Sequence, residues 1–148
     1  MATDSNAGTG EYRREIPIPS PVSQPYWDAC KRHELRAQRC RTCNWLWMYP
    51  SRMCHSPDCN TLDDYDWELL AGTGTVWTFT VNHRAPNAEW EGDLPYVFGV
   101  IELDEGVMIT SNVIGCDPSE VHIGMPVEVV FEDVSDEIAL PKFRPRSS

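Results

Sequence analysis

The sequence predicts a mainly β protein, in which an N-terminal helix and a rubredoxin-like zinc ribbon are followed by a five-stranded OB-fold barrel. Four cysteines lie between residues 40 and 59, short segments of alternating apolar and polar residues follow residue 66, and the helix content is too low for an α/β sheet. We divide the 148 residues into a disordered or extended arm (1–20), a helix plus zinc ribbon (21–65) and a barrel with a C-terminal tail (66–148). A small antiparallel sandwich is the alternative arrangement of the strands.

The cysteines have the spacing of a metal site. Cys40 and Cys43 form a C-x2-C motif, and after ten intervening residues Cys54 and Cys59 form a looser C-x4-C motif. Two tight turns that each project two thiolates can surround a tetrahedral Zn²⁺ ion. Four thiolates are the simplest ligand set, and His55 is an alternative to one of them. A site closed by four protein ligands leaves no open position for chemistry, so its predicted role is structural.

Ordinary buried cysteines or two disulfides are the alternatives to a metal. The first 15 residues are polar and contain no apolar segment typical of a secretion signal, so nothing there indicates an oxidising compartment. The expected location is the cytoplasm, where paired cysteine motifs favour zinc over disulfides.

The charge is distributed unevenly along the chain. The net charge is −11; residues 1–60 hold eight of the 12 basic and six of the 23 acidic residues, so residues 61–148 carry a net −13. The OB-fold alone suggests a single-stranded nucleic-acid-binding module as the alternative function of another class. The acidic barrel weighs against it, because such binding requires basic residues along the phosphate backbone. No apolar stretch approaches 18 residues, so no membrane span is expected.

The N-terminal third contains one predicted helix. Residues 1–15 are expected to be disordered, and 16–21 extended because Pro alternates with Ile. The helix is predicted over 23–35, with Ser23 as its cap and Pro25 in its first turn. His33 is interpreted as a residue of the helix terminus and not as a ligand.

The remaining chain predicts five strands. Residues 67–70 begin the first strand, Gly72 to Gly74 bend it, and 75–81 continue it, with Val76, Thr78 and Thr80 on one face and Trp77, Phe79 and Val81 on the other. A loop over 82–94 leads to a hairpin of 96–103 and 107–113, a short connection over 116–124, a fourth strand over 126–131, and a fifth strand or extended tail over 138–143.

The sequence predicts no catalytic constellation. It has no G-x-S-x-G, no glycine-rich phosphate loop and no H-E-x-x-H motif. Cys116 precedes Asp117, and a neighbouring carboxylate opposes formation of the reactive thiolate.

Basic residues precede and follow the acidic barrel. If the C-terminal tail returns across the ribbon, they form one cationic patch that suits the few phosphates of coenzyme A (CoA) better than a polymer; isolated solvated charges are the alternative. The residues assigned to CoA phosphates are Arg39, Arg52, Lys142 and Arg144.

Several segments together resemble a known family. The segments are the four-cysteine ribbon, G-T-G-T-V-W-T-F-T, I-E-L-D-E-G, I-G-M-P-V-E-V-V-F and L-P-K-F-R-P, within residues 19–145. They resemble the zinc-ribbon and OB-fold accessory proteins that were first described as a domain of unknown function. Two positions depart from the family: the second cysteine motif has four intervening residues instead of two, and Asn44 replaces a common Gly.

The resemblance implies a partner subunit. Members of the family accompany thiolase-fold enzymes, among them archaeal acetoacetyl-CoA thiolases and aldolases that shorten CoA-linked steroid side chains. It implies a non-catalytic subunit, with structural Zn²⁺ on the four cysteines, in a heterotetramer that shares a CoA thioester as ligand. The partner's expected reaction is retro-aldol cleavage of a β-hydroxyacyl-CoA with a steroid side chain; a β-ketoacyl-CoA thiolase or an acyltransferase is the alternative partner.

Overall fold

A computed structural model describes residues 16–84 and 94–146. The predictions for residues 1–15, and for 85–93 of the loop between the first two barrel strands, lie outside the described residues. The chain is mainly β, with one α-helix, a three-stranded sheet and a closed five-stranded barrel, which confirms the predicted fold class. No helix in the described part of the chain is long and apolar enough to cross a membrane.

The bounds of the elements follow the chain order. Helix α1 is Gln24–Lys31, and the strands are β1 (Arg36–Cys40), β2 (Leu46–Trp47), β3 (Tyr65–Leu69), β4 (Thr73–Asn82), β5 (Tyr96–Leu103), β6 (Met108–Val113), β7 (Pro126–Asp133) and β8 (Ala139–Pro145). A short 3₁₀-helix, Pro118–Glu120, lies between β6 and β7, in the segment predicted as a helical or turn connection.

Helix α1 begins where the sequence predicts but without the predicted cap. Pro25 lies in the first turn, where its missing N–H costs no hydrogen bond. Ser23 makes no capping hydrogen bond, because its hydroxyl instead accepts a 2.8 Å bond from the backbone N–H of Ser20. The helix is also shorter than expected: it ends at Lys31, and the left-handed backbone of His33 (φ 63°) redirects the chain.

The end of α1 is attached to the barrel. The ring of His33 stacks on Phe131 of β7 with 5.3 Å between centroids, and its Nε2 lies 3.2 Å from Asp133. Lys31 Nζ also lies 3.2 Å from Asp133. Hydrogen bonds from Lys31, which has the larger effect, and from His33 hold the pKa of the Asp133 carboxyl below its usual range. His33 therefore occupies the helix terminus, as predicted, and connects α1 to β7.

The three-stranded sheet has the order β2-β1-β3, with antiparallel pairing on both sides of β1. The strand predicted to begin at Trp67 is therefore not the start of a barrel strand: Trp67 pairs with Gln38 of β1. The physical reason is the turn at Gly72, whose φ of 80° ends the first sheet before β4 begins.

The barrel has the strand order β4-β5-β6-β8-β7 and closes through the pairing of β4 with β7. All neighbours are antiparallel except β6 and β8, which is the arrangement of an OB-fold and not of a sandwich. The last predicted segment is a strand and not a tail, because β8 pairs with β7 along its full length.

A β-bulge in β4 makes the predicted alternation of faces wrong. The register shifts between Val76 and Thr78, so Val76 is buried while Trp77 and Thr78 are both exposed. Beyond the bulge, Phe79 and Val81 pack against the core. A bulge adds one residue to a strand, which exchanges the inward and outward sets from that point onward. The irregularity within β4 therefore lies at Trp77, whereas the turn at Gly72 precedes the strand.

One core joins the helix to the barrel. Tyr26 and Cys30 of α1 belong to the same buried cluster as Ile101, Ile109 and Phe143 of the barrel strands. A second, smaller cluster is built from Cys40, Trp47 and Cys54 in the ribbon. The ribbon turns therefore depend on their own local interactions.

Candidate functional site

The four ribbon cysteines converge on one point. All four Sγ atoms lie within 4.8 Å of one another, with 3.8 Å between Cys40 and Cys59 and 3.5 Å between Cys43 and Cys54. A tetrahedral ion with ligands at about 2.3 Å separates its sulfur atoms by about 3.8 Å, whereas a disulfide requires about 2.05 Å. The four cysteines could therefore bind a metal ion such as Zn²⁺, and they form no disulfide.

Backbone N–H groups in each turn face the sulfur atoms. The N–H groups of Thr42 and Cys43 donate to Cys40 Sγ at 3.3 and 3.4 Å, and the N–H of Ser56 donates to Cys54 Sγ at 3.4 Å. Hydrogen bonds of this kind stabilise the thiolate form that a metal ion requires.

The two departures from the family pattern are accommodated by the backbone. Asn44 adopts the left-handed conformation (φ 69°) that a Gly would adopt at this position, and asparagine tolerates it better than most residues. In the longer second motif, Asn60 is also left-handed (φ 57°) directly after Cys59. The additional residues still leave the sulfur of Cys59 within the cluster.

His55 does not join the sulfur cluster. Among the described residues, the group that could hold a metal consists of the four cysteines, and the His55 ring stacks on Trp47 with 5.5 Å between centroids. The geometry thus favours four thiolates over a mixed set with His55.

The environments of the cysteines act on their ionisation in opposite directions. A hydrogen bond from the hydroxyl of Thr61 lowers the pKa of Cys40 to about 6. Burial raises the pKa of Cys54 to about 12, since removal from water disfavours the charged thiolate. Metal binding requires all four sulfurs to be deprotonated. The positive charge of a bound ion would offset the cost of burying the Cys54 thiolate.

The residues assigned to CoA phosphates are all engaged with neighbouring side chains. Arg39, Arg52 and Arg144 form ion pairs, and Lys142, which is 8% exposed, is hydrogen-bonded. The contacts are Arg39 with Glu68 (2.9 Å), Arg52 with Asp63 (2.6 Å), Arg144 with Glu128 (2.8 Å) and Lys142 Nζ with Asn112 Oδ1 (2.7 Å). Two of these residues lie in the ribbon and two on β8, and their role toward CoA stays a prediction.

Sequence reasoning missed an apolar cavity of about 600 Å³. It lies where the helix, the ribbon loop after β2 and the barrel meet, and its walls come from stretches as far apart in sequence as Trp27, Tyr49, Phe98 and Pro141. The aromatic residues in these segments are visible in the sequence, but only the folded topology shows that they line one cavity.

The family model for the C-terminal OB-fold domain of ChsH2 matches residues 67–132. This range includes four of the five barrel strands and excludes β8. The match agrees with the OB-fold topology of the barrel.

Three relatives with known names are similar to larger parts of the chain. A DUF35 domain-containing scaffold protein of Methanocaldococcus jannaschii is 38% identical over 108 residues, 72% of this chain and 74% of the relative. A probable enoyl-CoA hydratase alpha subunit of Thermomonospora curvata is 36% identical over 122 residues, 81% of this chain. A 3-oxo-4,17-pregnadiene-20-carboxyl-CoA hydratase alpha subunit of Mycobacterium tuberculosis is 34% identical over 115 residues, 75% of this chain. The chain spans only 36% and 34% of the lengths of these two hydratase subunits.

A solved structure, described as the Ltp2-ChsH2(DUF35) aldolase, contains a chain of the same fold. The TM-score is 0.77 at 35% identity, and the alignment covers 88% of this chain and 98% of that one. The order of ribbon and barrel, the sequence identity to the scaffold proteins and this structural match agree with one another. The chain belongs to the DUF35 family.

Proposed function

We propose that this protein is a non-catalytic subunit of a thiolase-like enzyme complex that acts on acyl-CoA thioesters. The observation that carries the proposal is the match to nearly the full length of a chain in the Ltp2-ChsH2(DUF35) aldolase. The names of two further relatives, a scaffold protein and an enoyl-CoA hydratase alpha subunit, support an accessory role in CoA-thioester chemistry.

The reaction that we propose for the complex is retro-aldol cleavage of a β-hydroxyacyl-CoA with a steroid side chain, run in the partner's active site. The aldolase match supports this reaction. The substrate class is supported by the M. tuberculosis relative, whose name describes a hydratase of a steroid carboxyl-CoA. A partner that is a β-ketoacyl-CoA thiolase or an acyltransferase is the second candidate. We expect a cytoplasmic heterotetramer.

Within the complex, we assign a structural role to Zn²⁺ bound by Cys40, Cys43, Cys54 and Cys59. The closed set of four sulfurs supports this assignment, because it leaves no position at which a substrate can bind the ion. The ion would hold the two ribbon turns together and fix the surface that the ribbon presents to a partner.

We also propose that four basic residues contact the CoA phosphates: Arg39, Arg52, Lys142 and Arg144. Planar guanidinium groups suit bidentate contact with phosphate. Arg52 and Arg144 are more than half exposed, so a phosphate can reach them by replacing the carboxylate now in contact. Arg39 is less exposed and would contact CoA at the edge of such a site. The Lys142 side chain is 10% exposed, so of the four residues it is the least accessible to a phosphate.

Co-expression with a thiolase-fold aldolase chain tests the proposal. We expect the untagged partner to co-purify with this protein on an affinity column and to elute from gel filtration at the mass of a heterotetramer. An unrelated thiolase-fold enzyme that functions alone is the control and should not be retained. A cognate partner that is soluble and fully active without this protein, and that is not retained, would contradict the proposal.

A further inference from the structure

The apolar cavity lies at a gap in the barrel wall. Strands β6 and β8 pair through their backbones at Val113 and Phe143. Nearer the start of β6, the contact between the strands is made by a side chain: Ser111 Oγ donates a 2.7 Å hydrogen bond to the carbonyl of Pro141. The ribbon covers this gap: the hydroxyl of Tyr49 accepts a 2.7 Å hydrogen bond from the backbone N–H of Thr110 on β6. The result is a cavity with one wall from the barrel and another from the helix and the ribbon.

The walls of the cavity favour a rigid, flat, apolar ligand. Five aromatic side chains line it: Tyr26 and Trp27 from α1, Tyr49 from the ribbon, and Tyr96 and Phe98 from β5. Aromatic side chains have few rotatable bonds and offer broad faces for ring systems. A volume of about 600 Å³ is within the range of about 300–1,000 Å³ that small-molecule sites occupy.

The wall of the cavity contains a cationic side chain. Lys142 lies in its wall, 8% exposed, with its Nζ 2.7 Å from Asn112 Oδ1 and 3.9 Å from Glu132. Lys142, Asn112 and Tyr96 also line a neighbouring cavity of about 590 Å³, so Lys142 forms part of the walls of both cavities. A cation held in an apolar wall complements a ligand oxygen.

We propose that this cavity binds the polycyclic acyl group of the thioester substrate, with its rings against the aromatic walls and an oxygen of the ligand accepting a hydrogen bond from Lys142. The inference rests on the proposed function, which supplies the substrate class, and it adds that this subunit itself holds the acyl group. A carbonyl or carboxylate oxygen on the ring-bearing group is the chemistry that a buried ammonium recognises.

Binding of a 3-oxo steroid carboxylic acid to the full-length, metal-loaded protein tests the inference. Trp27 lines the cavity, so tryptophan fluorescence and calorimetry both report on occupancy. Palmitate serves as the linear, ring-free carboxylic acid, and free CoA serves as the probe that lacks an acyl group. We expect saturable binding of the steroid acid with a dissociation constant on the order of 10 μM, and binding of palmitate that is at least about tenfold weaker.

Two variants and a matched control locate the site. Thr110→Phe places a large side chain in the cavity from an exposed strand position and should weaken binding at least about tenfold. Lys142→Met keeps the aliphatic stem and should weaken binding about tenfold by removing the charged donor. Thr78→Phe makes the same change at an exposed position of β4 outside the cavity lining and should leave the affinity unchanged. If Lys142→Met does not fold, the comparison of the two threonine variants still tests whether the steroid acid binds in this cavity.

Three results would overturn the inference. They are no saturable steroid binding by the wild-type protein, equal affinity of the Thr110→Phe variant and the wild type, or palmitate binding as tight as that of the steroid acid. Any of them, together with unchanged co-purification of the partner, would leave the proposed subunit role intact. Loss of co-purification would instead count against that role.

Discussion

Replacement of Cys54 with serine, or removal of the metal by a chelator, should unfold the ribbon turns and leave the barrel folded. Cys54 is 2% exposed and belongs to the small ribbon cluster, which is separate from the main core. Structural zinc contributes about 10–16 kcal/mol to the folding of zinc-finger peptides, so turns with so few apolar contacts should not remain ordered without it. Because the ribbon would form part of the partner-facing surface, we also expect co-purification of the partner to be lost.

Hydrogen exchange with and without metal measures this effect directly. Amides of residues 40–65 should lose protection, while those of β5 and β7 keep theirs, and elemental analysis should give one zinc per chain before treatment and none after. Cys116→Ser is the matched control, because Cys116 lies outside the sulfur cluster and should change neither zinc content nor protection. Unchanged protection of the ribbon in the metal-free protein would contradict a structural metal.

Phe143→Ala should produce the largest loss of stability of any single substitution in the barrel. Phe143 is fully buried and pairs with Val129 of β7 and Val113 of β6, so it lies where β8 joins both neighbouring strands of the barrel. Truncation of a buried phenylalanine costs about 3–5 kcal/mol, since it removes apolar contacts and leaves a cavity.

Urea unfolding followed by far-UV circular dichroism measures this loss as a difference in the free energy of unfolding. Phe98→Ala is the matched control: Phe98 is 46% exposed on β5, so its truncation should cost well under half as much. Equal effects of the two substitutions would show that the stability of the barrel does not depend on Phe143.

Local patterns predicted the parts of this fold that depend on neighbours in sequence. The cysteine spacing predicted the sulfur cluster, and the alternation from Tyr96 to Leu103 predicted β5 with its observed bounds. Both signals are contained within short segments, where the periodicity of a strand or the geometry of a tight turn determines the outcome.

The features that were not predicted depend on long-range contacts. The segment from Tyr65 to Leu69 has the composition of a strand, but composition does not say whether it pairs with β1 or continues into the barrel. The bulge at Trp77 is set by the pairing of β4 with β5, and it exchanges the faces that strict alternation assigns. The cavity requires α1, the ribbon loop and β5 to meet, which no single segment encodes.

The ion pairs also change how the basic residues are understood. Sequence places Arg39 and Glu68 29 positions apart, and only the pairing of β1 with β3 brings them into a bidentate contact. Glu68 accepts two hydrogen bonds from this guanidinium, which lowers the pKa of its carboxyl. Part of the basic charge in the N-terminal region thus stabilises the ribbon sheet itself.

The central claim is that this protein acts as a subunit and does not catalyse alone. An assay of retro-aldol C–C bond cleavage in a steroid β-hydroxyacyl-CoA, which releases a shorter acyl-CoA with its thioester intact, tests it most directly. The assay is run with this protein, with the thiolase-fold partner and with both together. We predict cleavage only in the mixture, at a rate that saturates when the two chains are equimolar. Full activity of the partner alone, or any turnover by this protein alone, would contradict the claim.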